Sequence, residues 1–291
     1  MSFFYNTSMR TLLIAALMFI LAPLSTAQQN ETWTRPTKPL QIVGNLYYVG
    51  TYDLSSYLIT TDAGHILINT GLAGSTPLIR ANTESLGFKF SDVKLLLATH
   101  AHWDHVAALA EIKRLTGARL LMHEGDVLSL EDGGRSDFRF GESPGTHFAP
   151  VKVDQPLKHG DEIRLGSTVL TLHHHPGHTK GASSFTFTTR HGEREYRVLI
   201  ANMGSINPGV TVSGMPGYPQ IREDYARTFG LQKELTFDIW VASHASQFNL
   251  HTKAAREGGP ERFMDPEGYR NAVNGLETSY LRQLAKERVA R

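Results

Sequence analysis

The chain contains no cysteine among its 291 residues. That absence excludes disulfide cross-links, a thiol nucleophile, thiolate metal ligands and a lipid-bearing N-terminal cysteine. Stability must come from the core and from any bound metal, and a metal site can be built only from histidine and carboxylates. Charge imbalance is missing as well. The 29 Lys and Arg nearly cancel the 28 Asp and Glu, and no block of like charge occurs, so no nucleic-acid surface is expected. Charge is scarcest at the start, where Arg10 is the only charged residue before Glu31. The apolar run at residues 12–22 is too short to span a bilayer comfortably. With small residues at Ser25 and Ala27 behind it, it predicts a signal peptide over residues 1–27, cleaved after Ala27. The mature chain then carries 28 basic and 28 acidic residues and has no stable membrane insertion.

What is present is ordinary globular composition, 41% hydrophobic and 20% charged. The length suits one large domain over residues 28–291 better than two small ones. Residues 28–40, with Pro36 and Pro39, predict an extended lead-in. Short apolar runs at 46–49, 56–60 and 65–69 predict adjacent strands separated by turn residues. Residues 75–86 predict a helix stopped by Gly87. Residues 93–99 are nearly all apolar, as in a strand buried on both faces. Val106, Leu109, Ile112 and Leu115 recur at helical spacing, predicting one helix over 104–116 that ends at Gly117. A strand follows at 119–122, then a long surface loop at 131–149. Further strands are expected at 161–175, 183–189, 195–202 and 238–243, with helices near 220–235 and 266–288. Mixed strands and helices in two halves predict two packed sheets with helices outside.

The 14 histidines are grouped. His100 and His102 stand at the end of the buried strand, and Asp104 and His105 open the next helix. Strand carboxyl ends are where α/β folds place ligands, and alternation puts His100 and His102 on one side. Asp104 can cap a helix in its own right, but four metal-type residues in six at one junction point to metal. His178 lies in a Pro/Gly turn after a strand, and His244 closes an apolar strand. Three strand ends thus deliver His100, His102 and His178 to one zinc, and Asp104, His105 and His244 to another. Imidazole and carboxylate suit zinc, and three ligands leave room for water. At most one or two of His173, His174 and His175 approach the metals. His65, His123, His147, His159, His191 and His251 have no ligand neighbours in sequence and read as structural.

The run at residues 100–105, the Gly177-His178-Thr179 segment, Ser243-His244 and the strand order together resemble the metallo-β-lactamase superfamily over residues 40–250. The resemblance implies an αββα sandwich, two mixed sheets with helices on the outer faces. Glyoxalase- and lactonase-like members carry a bridging aspartate on the strand that here is residues 198–207, which has no carboxylate; subclasses B1 and B2 place a cysteine there. Subclass B3, with a thiolate-free second zinc, is what the chain is similar to, and its 201–209 segment most resembles the GOB-like or FEZ-like branch. In GOB-like members the first histidine of the run can be glutamine, whereas here it is His100. Met203 replaces a serine common in B3, and Asn69 replaces an aspartate common in the superfamily. Met203 cannot reinforce the second site by hydrogen bonding.

The resemblance implies a periplasmic zinc β-lactamase acting on penicillins, cephalosporins and carbapenems. Zinc lowers the pKa of bound water from about 15.7 toward 7, and Asp104 would orient the nucleophile and take its proton. Ser205 would contact the substrate carboxylate, although serine is also at home in a turn. A small-molecule substrate and a monomer are expected. A secreted zinc hydrolase of another ester or lactone, and a zinc-sequestering protein without activity, are the competing readings, because fold does not fix substrate.

Overall fold

A computed structural model describes Met1 and residues 31–289. The expected cleavage point after Ala27 lies outside the described residues. Within the described part of the lead-in, Glu31–Thr34 form a single helical turn, α1, rather than an extended segment. The first half then runs β1 (Leu40–Val43), β2 (Leu46–Tyr48), β3 (Tyr57–Thr61), β4 (Gly64–Ile68), α2 (Thr76–Ser85), β5 (Val93–Leu97), α3 (Trp103–Val106), α4 (Leu109–Thr116), β6 (Arg119–His123), α5 (Glu124–Asp132) and β7 (Gln155–Leu157). The second half runs β8 (Glu162–Leu165), β9 (Thr168–His174), β10 (Ser183–His191), β11 (Arg194–Ala201), α6 (Ile221–Glu234), β12 (Ile239–Ala242), α7 (Leu250–Ala254) and α8 (Pro266–Val289).

Strands β1 to β7 form one sheet in chain order, antiparallel as far as β4 and parallel from β4 onward. The second sheet has the order β12-β11-β10-β9-β8, with only β11 and β12 parallel. Side-chain alternation along each strand divides the apolar residues between two cores. In the first sheet Ile59, Ile66, Ile68, Leu95 and Leu97 face the second sheet and meet Leu170, Leu172, Phe185 and Val198. Their neighbours Leu58, Leu67 and Leu96 face the other way, onto Ile79 of α2 and Leu109 and Ile112 of α4. Phe229 of α6 and Tyr269 and Val273 of α8 belong to the same apolar cluster, which continues past the second sheet. The expected αββα sandwich is the observed architecture.

Three elements depart from the sequence expectation. The helix expected over 104–116 is broken after Val106. Its first turn is diverted to the loop after β4: Thr70 donates its N–H to the His105 carbonyl at 2.7 Å, and Ala107 donates to the Gly71 carbonyl at 3.1 Å. The strand expected over 161–175 is a hairpin, β8 and β9, turned at Gly166 with φ of 55°. A Cβ there would also crowd the Asp62 carboxylate, and the left-handed backbone favours glycine. The loop expected over 131–149 begins only after α5, a helix that weak amphipathicity and Gly125 concealed. It is not merely a surface loop, since it carries buried Phe148 and folds back over the metal-type residues.

Parallel pairing of β4 with β5, and of β11 with β12, delivers their carboxyl ends to one rim. The two sheets are fastened there by Tyr57, whose buried hydroxyl donates to the Ala242 carbonyl at 2.6 Å. Tyr57→Phe should therefore cost about 1–2 kcal/mol, measured by urea unfolding. A variant as stable as the wild type would show that this bond adds nothing to the join.

Candidate metal centre

The end of β5 leads through Ala98 and Thr99 to His100 and His102, which lie just before α3, while Asp104 and His105 lie in its only turn. The β9–β10 connection supplies His178, and the residue after Ser243 at the end of β12 supplies His244. All six side chains line one chamber of about 140 Å³. His100 is central: its ring centroid lies 4.8 Å from His102, 4.6 Å from His178 and 4.4 Å from His105. The His105 and His244 rings are 4.9 Å apart.

Two donor groups have ligand atoms close enough to share an ion. One is His100, His102 and His178; the other is His100, Asp104 and His105. His244 joins the second group through Asp104, whose Oδ2 lies 3.1 Å from His105 Nε2 and 3.5 Å from His244 Nε2. The chemistry of this set fits zinc, with nitrogen and one carboxylate as donors. A further sign is that His100 Nε2 is buried and finds no hydrogen-bond partner in the protein. Buried polar atoms are rarely left so, and a metal ion would satisfy this one.

Several other ring nitrogens face groups of the protein. His178 Nδ1 donates to the Ser205 carbonyl at 2.7 Å. His244 Nδ1 lies 3.1 Å from Asp53 Oδ2, and Asp53 also accepts the Ser246 N–H. His102 Nε2 lies 3.3 Å from Asp137 Oδ2, close but without hydrogen-bond alignment. His100 Nδ1 is 3.3 Å from the Thr99 hydroxyl. Such partners fix ring orientation and tautomer.

Electrostatics follow the same plan. Burial pushes His178 down to about 3, and His102 beside it adds to the effect. Burial also holds His100 well below the ordinary histidine range, with His105 and His178 adding to the shift. These rings are neutral, as coordination requires. Burial alone would raise the Asp104 carboxyl, but His105 and His244 hold it well below its usual range. Burial likewise opposes a charge on His244, yet Asp104 and Asp53 raise it to about 9.

The family model for the metallo-β-lactamase superfamily matches residues 50–191. The metallo-β-lactamase GOB-18 from Elizabethkingia meningoseptica superposes with a TM-score of 0.85 at 52% identity, covering 88% of this chain and 95% of that one. The class B3 di-zinc metallo-β-lactamase LRA-12 from an Alaskan soil metagenome gives 0.85 at 49% identity, covering 88% and 97%. This chain is a subclass B3 member of the metallo-β-lactamase superfamily. Among curated relatives, a hydroxyacylglutathione hydrolase from a Bradyrhizobium species is 28% identical over 46% of this chain, which spans 44% of that protein's length.

Within the B3 domain, Ser205 lines the chamber and its hydroxyl lies 3.4 Å from His178 Nδ1. Met203 lines it too, with no polar atom to offer. Asn69 does not line it. Held at φ of 62°, it accepts from the Thr99 backbone N–H and hydroxyl, at 2.8 and 3.2 Å, and so acts on the residue before His100. His173, His174 and His175 stay outside the chamber. Three carboxylates escaped the sequence reading: Asp53, Asp126 and Asp137. Each serves histidines distant in the chain, and none has a local motif to mark it. Asp126 on α5 is wholly enclosed; its oxygens accept the Ala101 N–H at 2.9 Å, the Thr179 hydroxyl at 2.7 Å and the Gly181 N–H at 2.7 Å. It thereby ties the His100–His102 turn to the loop that carries His178.

Asp126→Asn would turn one acceptor into a donor facing a backbone N–H. Metal affinity should fall about 10–100-fold, measured by competition with a chromogenic chelator. Wild-type affinity in the folded variant would show that Asp126 does not set the spacing of the histidines.

Proposed function

We propose that this chain is a zinc-dependent β-lactamase that hydrolyses the ring amide of penicillins, cephalosporins and carbapenems. The observation that carries the reading is a single buried chamber that holds five histidines and one ionised aspartate with no thiolate. Similarity to B3 enzymes over most of the chain supports the same conclusion. His100, His102 and His178 would hold the first zinc, and Asp104, His105 and His244 the second. Zinc, when bound, supplies Lewis acidity toward the lactam carbonyl and an activated water.

The residues do the rest. Hydrolysis breaks the lactam C–N bond, giving OH to the carbonyl carbon and H to the nitrogen. Asp104 points a fixed carboxylate oxygen into the chamber and stays ionised, so it can orient the attacking water and accept its proton. Asp53 holds His244 against Asp104 and keeps that oxygen in place. Ser205, which lines the chamber together with Asn202 and Asn207, would receive the substrate carboxylate. Trp33, Trp103 and Phe140 also line the chamber and give it apolar surface.

The rest of the reading concerns the whole protein. Residues 1–27 would direct export to the periplasm, where residues 28–291 would act as a monomeric single domain. No helix among the described residues is long and apolar enough to cross a membrane.

Zinc-loaded protein should hydrolyse one penicillin, one cephalosporin and one carbapenem, and lose all three activities to a chelator. Asp104→Asn should lower kcat about 10²–10⁴-fold. Absence of turnover with all three compounds, alongside cleavage of a thioester or lactone, would replace this reading with that of another secreted zinc hydrolase.

A further inference from the structure

The metal chamber occupies one end of the second sheet, and the opposite end has a cavity of its own. β11 runs between the two. Arg197, near its start, lines a cavity of about 410 Å³, and Asn202, just past its end, lines the chamber. The extended chain between them covers about 17 Å. No residue lines both spaces. The volume falls within the range of about 300–1,000 Å³ common to small-molecule sites.

Three elements bring cations to this cavity: Arg197 from β11, Lys233 from α6 and Arg270 from α8. Among the described residues, Glu234 is the one carboxylate in the lining. That is a local excess in a chain whose charges nearly cancel, 29 against 28. The carboxylates that pair with two of the cations stand outside the lining. Asp238 Oδ2 lies 3.4 Å from Arg197 Nε, and Glu277 pairs with Lys233. Arg197 also donates from Nη1 to the Thr236 hydroxyl at 3.3 Å, so its guanidinium is held from two sides. Arg270 is exposed and has neither an ion pair nor a hydrogen bond among the described residues. The rest of the lining is largely apolar, with Leu235, Phe237, Pro266 and Tyr269. The Phe237 and Tyr269 rings meet edge-on, with centroids 4.8 Å apart.

Guanidinium groups bind the oxygens of carboxylates and phosphates in a matching fork. An apolar lining favours a ligand whose body gains by leaving water. We propose that this cavity is a second binding site, for a small organic oxyanion with a flat apolar body. Arg197, Lys233 and Arg270 take its charged end, and Leu235, Phe237 and Pro266 take its body. The site is separate from the metals and does not rest on the lactamase reading.

The test is calorimetric titration of the zinc-loaded protein with β-naphthoate and with its neutral analogue β-naphthamide. The wild type should bind naphthoate with a Kd of about 1 mM or tighter, and the amide at least about fivefold more weakly. Arg270→Gln, at an exposed position that the fold does not need, should weaken naphthoate binding about fivefold, and Arg197→Gln combined with it at least about tenfold. Glu234→Gln, which removes the opposing charge, should tighten it about two- to threefold. Naphthoate could also reach the metals, and the arginine variants separate the two places. Binding unchanged in the folded Arg270→Gln and double variants lies elsewhere and overturns the site. Equal binding of acid and amide, or no binding of naphthoate to the wild type, overturns it as well.

Discussion

The structure depends on one electrostatic constraint: five imidazoles and a carboxylate are removed from water and crowded into a chamber at the rim of two sheets. Isolated burial of such groups is costly. The chain meets the cost by keeping some rings neutral and by setting carboxylates against others. His100 and His178 are pushed below their ordinary range by burial, while His244 sits between Asp53 and Asp104. The β5 end, the β9–β10 loop and the β12 end must all hold position for that arrangement to persist.

The anchoring groups come from far along the chain. Asp126 bonds to backbone and side-chain donors on two ligand-bearing loops. Asp137, in the loop after α5, faces His102, and its Oδ1 accepts the Arg139 and Phe140 N–H groups. Phe140 in turn packs edge-on against His102 and Trp103. The wall facing the substrate and the support of a metal-type histidine are thus built from the same few residues, so a change in one is felt by the other.

Much of this was legible in the sequence. Short apolar runs bounded by turn residues marked the strands, Gly87 and Gly117 marked helix ends, and the spacing at 100–105 marked a strand-to-helix junction rich in donors. His178 and His244 could be found because each follows a strand. Less legible were features that exist only through tertiary contact. The break after Val106 arises from backbone bonds to Thr70 and Gly71, which no local pattern records. Asp53, Asp126 and Asp137 look like loop or helix-surface carboxylates until their distant partners are in place. Composition likewise made residues 131–149 resemble exposed loop, although Phe148 is buried and Phe140 lines the chamber.

The contact between Asp53 and His244 joins residues separated by 191 positions. Closing so long a loop carries an entropic cost before the contact returns any stability, and contacts of this separation slow folding. The chamber is therefore complete only once Asp53 and His244 have been brought together across that separation. A chain emerging from its amino end carries the residue 100–105 run long before His244 exists to stand beside it. Until His244 joins them, those residues offer a metal only a partial donor set. The finished geometry, rather than the motif, is what decides which ion stays.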